Sequence, residues 1–383
     1  MKNLLLILSL FVSHAICAAG IAPGRLTVEY KENPLGINTD KPRFSWTLVS
    51  TDRNQTQSAY EIIVSENLQE IQQGRGSAWA SGKVSSAQSL HIPYEGASLK
   101  PFTRYYWSVK TYDQGGAASG WSKPSWFETA MLKADDWKAQ WIGDGRVQPA
   151  NDSLYYQPDP MPLFRRGFNA KKKIASARLY ISGLGYYEAY LNGKKVGENV
   201  LDPGWTTYRK QVLYTVHDIT PMLKKGNNVA GIMLGNGWWN PLPLKFFGGW
   251  DLRDYQQTGR PVVKAEIHIR YSDGETETVI TDDSWQTAPG PVIRNNVYLG
   301  EHYDARAERE DWLLTSAKTG GWKNATVAQG PEGELTVQMQ PPIRITRIVN
   351  PVSIKEQQKG VYIVDLGQNF AGAARIKVKG PAG

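Results

Sequence analysis

Apolar residues recur at every second position over several stretches of this chain, and polar turn residues separate those stretches. Tyr187, Ala189 and Leu191 alternate with Glu188 and Tyr190, the period of a strand with one buried face. Asn192-Gly193 follows, two residues that tolerate positive φ and so predict a tight hairpin. Val196 and Val200 resume the apolar pattern, and Pro203-Gly204 breaks it before Trp205 and Tyr208. The whole stretch from Gly183 to Tyr208 predicts a sandwich edge: a strand, a polar turn, a second strand and an aromatic-lined exit.

The same period appears upstream. Phe44–Leu48 and Tyr60–Val64 alternate, and Leu99–Val109 carries apolar residues at every second position as one long strand. Leu99, Pro101 and Tyr105 have the spacing of a tyrosine corner, in which the ring anchors the loop before a strand. A Gly-rich turn from Asp113 to Gly120 leads to a last strand ending at Phe127–Thr129. This layout, over residues 22–131, resembles a fibronectin type III, immunoglobulin-like sandwich. Met131–Asp136 reads as a linker, and Trp137–Ile142 opens a second unit carried to residue 340. There Tyr214–Thr220 and Lys225–Ile232 read as strand, turn and strand, with Lys225–Asn228 as the turn; Val262–Tyr271 and Glu277–Ile280 are strand-like, and Pro241–Gly259 is an aromatic-rich loop. An all-β, galactose-binding-like jelly roll with long loops at one end is the expectation. Ile343–Val349, Val361–Asp365 and Arg375–Val378 predict the start of a third β-sandwich over residues 341–383, too short to bury a core alone. Its last residues form a turn, so the expectation is a truncated protein.

Composition fits this all-β reading: 383 residues suggest two to three domains, and tryptophan (14) and tyrosine (19) are abundant. Residues 1–19 read as a signal peptide, with Lys2 as the charged start, Leu4–Val12 as the apolar stretch and small residues up to Ala19. Export to the periplasm or the medium is expected; Cys17 leaves a lipoprotein as the alternative, against bulky Ile16 before it. No stretch is long enough to span a membrane as a helix. Cys17 is the only cysteine, so the exported chain would hold its sandwiches without disulfides. The formal charge of +8 drops to +7 when Lys2 leaves, and the basic residues are scattered. Nucleic-acid binding would need a stripe or a known module, so a solvated surface is expected instead.

Catalytic chemistry is thin. The remaining histidines (His91, His217, His268, His302) lack the paired spacing of a metal site, and neither metal nor cofactor is called for. The densest carboxylates lie in Gly300–Arg306, but Glu301 and Asp304 would point to opposite faces of a strand. A glycosidase pair must instead sit roughly 5–10 Å apart across a sugar cleft. With Arg306 and Arg309 beside them, they read as an ion-paired loop. The candidate site is therefore a carbohydrate-binding surface of Asn192, Trp205, Tyr208, Asn236, Trp238 and Trp239. Rings stack on sugar C–H groups while amides bond hydroxyls, and a shallow site needs little else. The plainer alternative makes Asn192 and Asn236 turn residues and Trp238 core.

The ordered segments GLGYYEAYLNGKKVG…LDPGWTTY, LGNGWW, GEHYDAR and YIVDLGQNFAGAARI, with the Trp137–Trp141 opening, resemble the N-terminal, non-catalytic part of bacterial α-L-rhamnosidases of glycoside hydrolase family 78. Ala373-Ala374 departs from the family, which places a Trp after the preceding Gly. The resemblance implies hydrolysis, with inversion, of terminal rhamnose on glycans. It also implies that the catalytic carboxylates belong to an (α/α) barrel downstream, which no residue here matches. Some relatives bind rhamnose through calcium, using an acidic residue beside the hairpin Asn; here that neighbour is Leu191. A free-standing carbohydrate-binding protein and a structural spacer are the other two readings.

Overall fold

The structure is a computed structural model that describes residues 20–246, 249–309, 311–377 and 379–380. The predicted signal peptide and Cys17 lie outside the described residues. The chain divides into a large unit, which runs up to Gly197 and resumes at Leu201–Pro341, and a small one of Glu198–Val200 and Pro342–Gly383.

The large unit begins with a sandwich of two antiparallel sheets. Ala22–Val28, Arg43–Val49 and Ile92–Pro93 make one; Trp79–Ala80, Gln57–Ser65, Arg104–Asp113 and Ser125–Glu128 make the other. Alternation has the expected result: Phe44 and Trp46 from one sheet meet Ile62, Trp107 and Phe127 from the other in a single buried cluster. The Tyr105 hydroxyl accepts the backbone N–H of Lys100 at 2.9 Å, closing the tyrosine corner. The strand predicted from Leu99 begins only at Arg104, because that corner occupies the residues before it.

Next comes a jelly roll of two facing sheets. The first centres on Ile174–Leu184, flanked by Val262–Tyr271 and Gln211–Asp218, and Glu334–Val337 joins Gln211–Asp218 in parallel. The second runs Lys194–Lys195, Tyr187–Leu191, Gly226–Leu234, Pro162–Ala170, Gln286–Pro289 and Lys323–Asn324. Leu179, Ile181, Ile267 and Ile269 from the first sheet pack on Ala189, Leu191 and Ile232 from the second. Pro241–Gly259 contains more than loop: a two-residue hairpin pairing and a one-turn helix, Leu252–Tyr255, lie within it.

Met131–Asp136, expected as a linker, is packed. Ala130 and Met131 are buried with Trp137, Tyr180 and Tyr214, and the Asp136 carboxylate accepts from the N–H groups of Leu132 and Lys133. The two sandwiches also share an ion cluster. Arg178 of the jelly roll donates to both Glu128 oxygens at 2.7 and 2.8 Å, and Arg104 donates to the same carboxylate at 2.8 Å. Phe102 lies beside them, its ring 4.2 Å from His268 and 5.5 Å from Tyr180.

In the small unit Ser353–Gln358 and Val361–Asp365 form an antiparallel hairpin, with Ile354 opposite Val364. Val200 belongs here, donating its N–H to Ile343. Ile343–Val349 and Arg375–Lys377 are not strands, contrary to expectation, and Val378 lies outside the described residues. Among the described residues their apolar periodicity meets no neighbouring strand, and a two-stranded hairpin is marginal by itself.

Candidate functional site

The strand pair Tyr187–Leu191 and Gly226–Leu234 has two ends, and the predicted site residues divide between them. At one end Asn192 and Gly193 take φ of 51° and 83°, the left-handed pair of a primed hairpin turn. Asn192 donates to the Met222 carbonyl at 3.0 Å and to Asn228 Oδ1 at 2.9 Å, and its own Oδ1 accepts from Val229 N–H at 3.0 Å. Its amide is committed to joining two turns. Leu191 beside it points into the core, 2% exposed, where it has no donor atom for calcium.

At the other end two glycine-bearing segments touch. Gly185 N–H donates to the Gly235 carbonyl at 3.2 Å, and Gly235 N–H returns to Tyr186 at 2.8 Å. A Cβ on Gly185 would sit 2.0 Å from the Asn236 carbonyl oxygen, so the two backbones approach closely only because no side chain separates them. The Tyr187 N–H is bound by the Asp202 carbonyl, which brings the Asp202–Trp205 exit to the same end.

Asn236 there is a brace. Its N–H and Nδ2 donate to Asn295 Oδ1 and O at 2.7 and 2.9 Å, and its Oδ1 accepts from Asn240. This fastens the hairpin Val292–Asn296 with Gly300–Tyr303 beside the Trp238 segment. Trp205, 48% exposed, stacks on Trp238 with ring centroids at 4.5 Å and 13° between planes. The exposed Tyr298 meets Trp238 edge-on at 5.6 Å. Three sequence motifs therefore meet in one aromatic corner. Tyr208 and Trp239 are not in it: both are buried, edge-on to each other at 5.2 Å, and the Trp239 N–H reaches the Arg260 carbonyl. Sequence reasoning missed Tyr298 and Asn295. The signal available was position, since Tyr298 lies two residues before Gly300 of the GEHYDAR segment, at the tip of a hairpin.

Asp304 caps the turn Ala305–Ala307, and Arg306 donates to its two oxygens at 2.9 and 2.7 Å. Those contacts hold the Asp304 carboxyl down at about 2. Glu301 is exposed on the hairpin strand. Asp304 and Arg306 together form an ion-paired turn.

Residues 172–347 match the family described as "Alpha-L-rhamnosidase N-terminal domain", and residues 23–133 match the "Rha78A-like, N-terminal immunoglobulin domain". An α-L-rhamnosidase of Formosa agariphila is 35% identical over 92% of this chain and 39% of its own length. The chain is an N-terminal portion of the α-L-rhamnosidase family. The same portion is seen in solved structures. The α-L-rhamnosidase of Dictyoglumus thermophilum is 37% identical with a TM-score of 0.82, over 91% of this chain and 38% of that one. The Streptomyces avermitilis α-L-rhamnosidase, complexed with L-rhamnose, is 25% identical with a TM-score of 0.80, over 91% of this chain and 49% of that one. This rhamnosidase portion thus spans less than half the length of those solved relatives.

One titratable group supports the aromatic end of the rhamnosidase portion from below. The Tyr187 hydroxyl contacts Thr215 and lies 2.9 Å from His217 Nε2. Burial pushes His217 below the ordinary histidine value, more than the Asp202 charge raises it. The folded state therefore favours neutral His217. Its stabilisation is complete above the unfolded value near 6.5 and is lost as pH falls below it. Urea midpoints should drop between pH 7.5 and 5.5 by more in the native chain than in His217→Gln. Equal drops would show that His217 does not contribute.

Proposed function

We propose that this chain serves as the N-terminal part of an exported α-L-rhamnosidase that releases terminal α-L-rhamnose from glycans, and that its own jelly roll contacts sugar through Trp205 and Trp238. The catalytic (α/α) barrel lies outside this chain on this reading, so the chain alone does not hydrolyse rhamnosides. Residues 1–19 direct export to the periplasm or the medium, and the mature chain is divided at 22–131, 137–340 and 341–383.

Exposed Trp205, stacked on half-buried Trp238, carries the sugar-contact reading. Trp205, held on a braced corner with much of its ring in water, lacks apolar burial that a sugar's C–H face would restore. This reading leaves out Asn192, whose amide joins two turns, and the buried Tyr208 and Trp239, and gives Asn236 a part through the brace it makes with Asn295. Support for rhamnose as the sugar is the name shared by the relatives and the L-rhamnose in the Streptomyces avermitilis complex.

A titration of ¹⁵N-labelled protein with rhamnose should shift the indole signals of Trp205 and Trp238, with Kd near 1 mM, roughly 4 kcal/mol. Chelator should leave that affinity unchanged, and Trp205→Ala should weaken it by about ten-fold, ~1.4 kcal/mol. An aryl α-L-rhamnoside should turn over no faster than in buffer. The reading fails if no shifts occur by about 20-fold above that Kd, or if they fall only in residues 26–129. It fails equally if turnover appears that Glu301→Ala or Asp304→Ala abolishes.

A further inference from the structure

A second stacked pair lies on the Pro241–Gly259 segment. The rings of Trp250 and Tyr255 are 5.3 Å apart at 21°, and they are 41% and 66% exposed. Between them runs the one-turn helix Leu252–Tyr255, and its other side chains fix it in place. Buried Asp251 caps it, accepting from Arg253 N–H at 2.8 Å, and Leu252 is buried. The Arg253 guanidinium donates to the Pro241 carbonyl at 2.7 Å and to the Tyr155 hydroxyl at 2.6 Å, and it covers the Tyr155 ring at 4.1 Å.

The segment is also tied to the first aromatic corner. Gln256 donates to the Trp238 carbonyl at 2.5 Å. Leu252 and Leu244 line one small crevice together with Trp238 and Tyr298. The turn from Asp251 to Gln256, anchored by a half-buried arginine and a buried cap, is fixed in place beside two ring faces turned to water. Exposed Asp254 stands beside Tyr255 as an acceptor for hydroxyl protons.

We propose that Trp250 and Tyr255 form a second sugar-stacking platform, and that this end of the jelly roll binds an oligosaccharide laid across both aromatic pairs. The inference rests on the reading that Trp205 and Trp238 contact sugar. Once one end of a linked glycan is held, docking of the next residue is intramolecular, so a modest second contact raises affinity several-fold or more.

The test compares free rhamnose with a rhamnose-terminated tetrasaccharide on the full chain, by calorimetry and by indole NMR signals. The tetrasaccharide should bind about ten-fold tighter than rhamnose. Trp250→Ala and, separately, Tyr255→Ala should each remove most of that gain while leaving the rhamnose Kd within about two-fold of the native value. Rhamnose shifts at Trp205 without any tetrasaccharide gain would overturn this inference alone. A gain that survives both substitutions would do the same. Absence of rhamnose shifts at Trp205 and Trp238 would overturn both this inference and the function proposed above.

Discussion

Replacing Glu128 by Ala should lower the stability of the large unit by about 3–5 kcal/mol, the usual cost of removing one member of a buried ion pair. The carboxylate and Arg178 are each only about one-tenth exposed, so the arginine left behind keeps its desolvation and loses its partner. Asp218 remains within 2.8 Å of Arg178 but is half exposed and screened, so it replaces little of the loss. Glu128 sits on the last strand of the first sandwich and Arg178 on the central strand of the jelly roll. The deficit should therefore appear in one joint urea transition, not as early melting of residues 22–131. Tryptophan fluorescence reports both sandwiches, through Trp46 and Trp107 in one and Trp285 in the other. A loss below about 1 kcal/mol would mean that the cluster is no stronger than a surface pair. The double change Glu128→Leu with Arg178→Met should recover most of the stability, because removing both charges removes the unpaired one.

Gly185→Ala should be nearly as damaging, at about 3 kcal/mol, the upper part of the range for overpacking. The added methyl would meet the Asn236 carbonyl oxygen at 2.0 Å, and backbone on both sides cannot rotate away as a side chain would. Separation of the two segments would break the Gly185–Gly235 and Gly235–Tyr186 hydrogen bonds and tilt Asn236 away from Asn295. The indole signals of Trp205 and Trp238 should then shift even without sugar, and rhamnose binding should weaken. Gly193→Ala is the comparison: open space surrounds that position, so only its φ of 83° opposes the change. A cost of about 1 kcal/mol is expected there. Equal losses at the two glycines would contradict the close-approach account.

The strands of the large unit that were legible had a local signal, whereas the central strand Ile174–Leu184 and its counterpart Pro162–Ala170 in the facing sheet were not read. Val262–Tyr271 and Tyr187–Leu191 alternate apolar and polar residues; burial follows that alternation in Tyr187–Leu191, and in Val262–Tyr271 it breaks at Glu266, whose buried carboxylate accepts the Ala139 N–H. The Asn192-Gly193 turn and the Tyr105 corner are likewise set within a few residues, by left-handed φ and by one hydroxyl. In the small unit the same pattern misled at Ile343–Val349. Periodicity marks a residue run that could pair, whereas a strand exists only where a neighbour supplies its hydrogen bonds.

The sequence by itself determined the all-β class, the order of the sandwiches and the family, through short-range alternation, turn chemistry and ordered motifs. Tertiary structure alone decided which aromatic residues face water. Trp238 and Trp239 are adjacent in the chain, yet Trp239 is buried against Tyr208 while Trp238 supports exposed Trp205. It also decided that Asn192 and Asn236 stand at opposite ends of one strand pair, since Leu191 registers with Ala230 and Tyr187 with Leu234. The pairing of Glu128 with Arg178 across fifty residues was equally invisible beforehand. Each of these depends on which strands become neighbours and in what register, and period-two alternation is the same for every partner a strand can take.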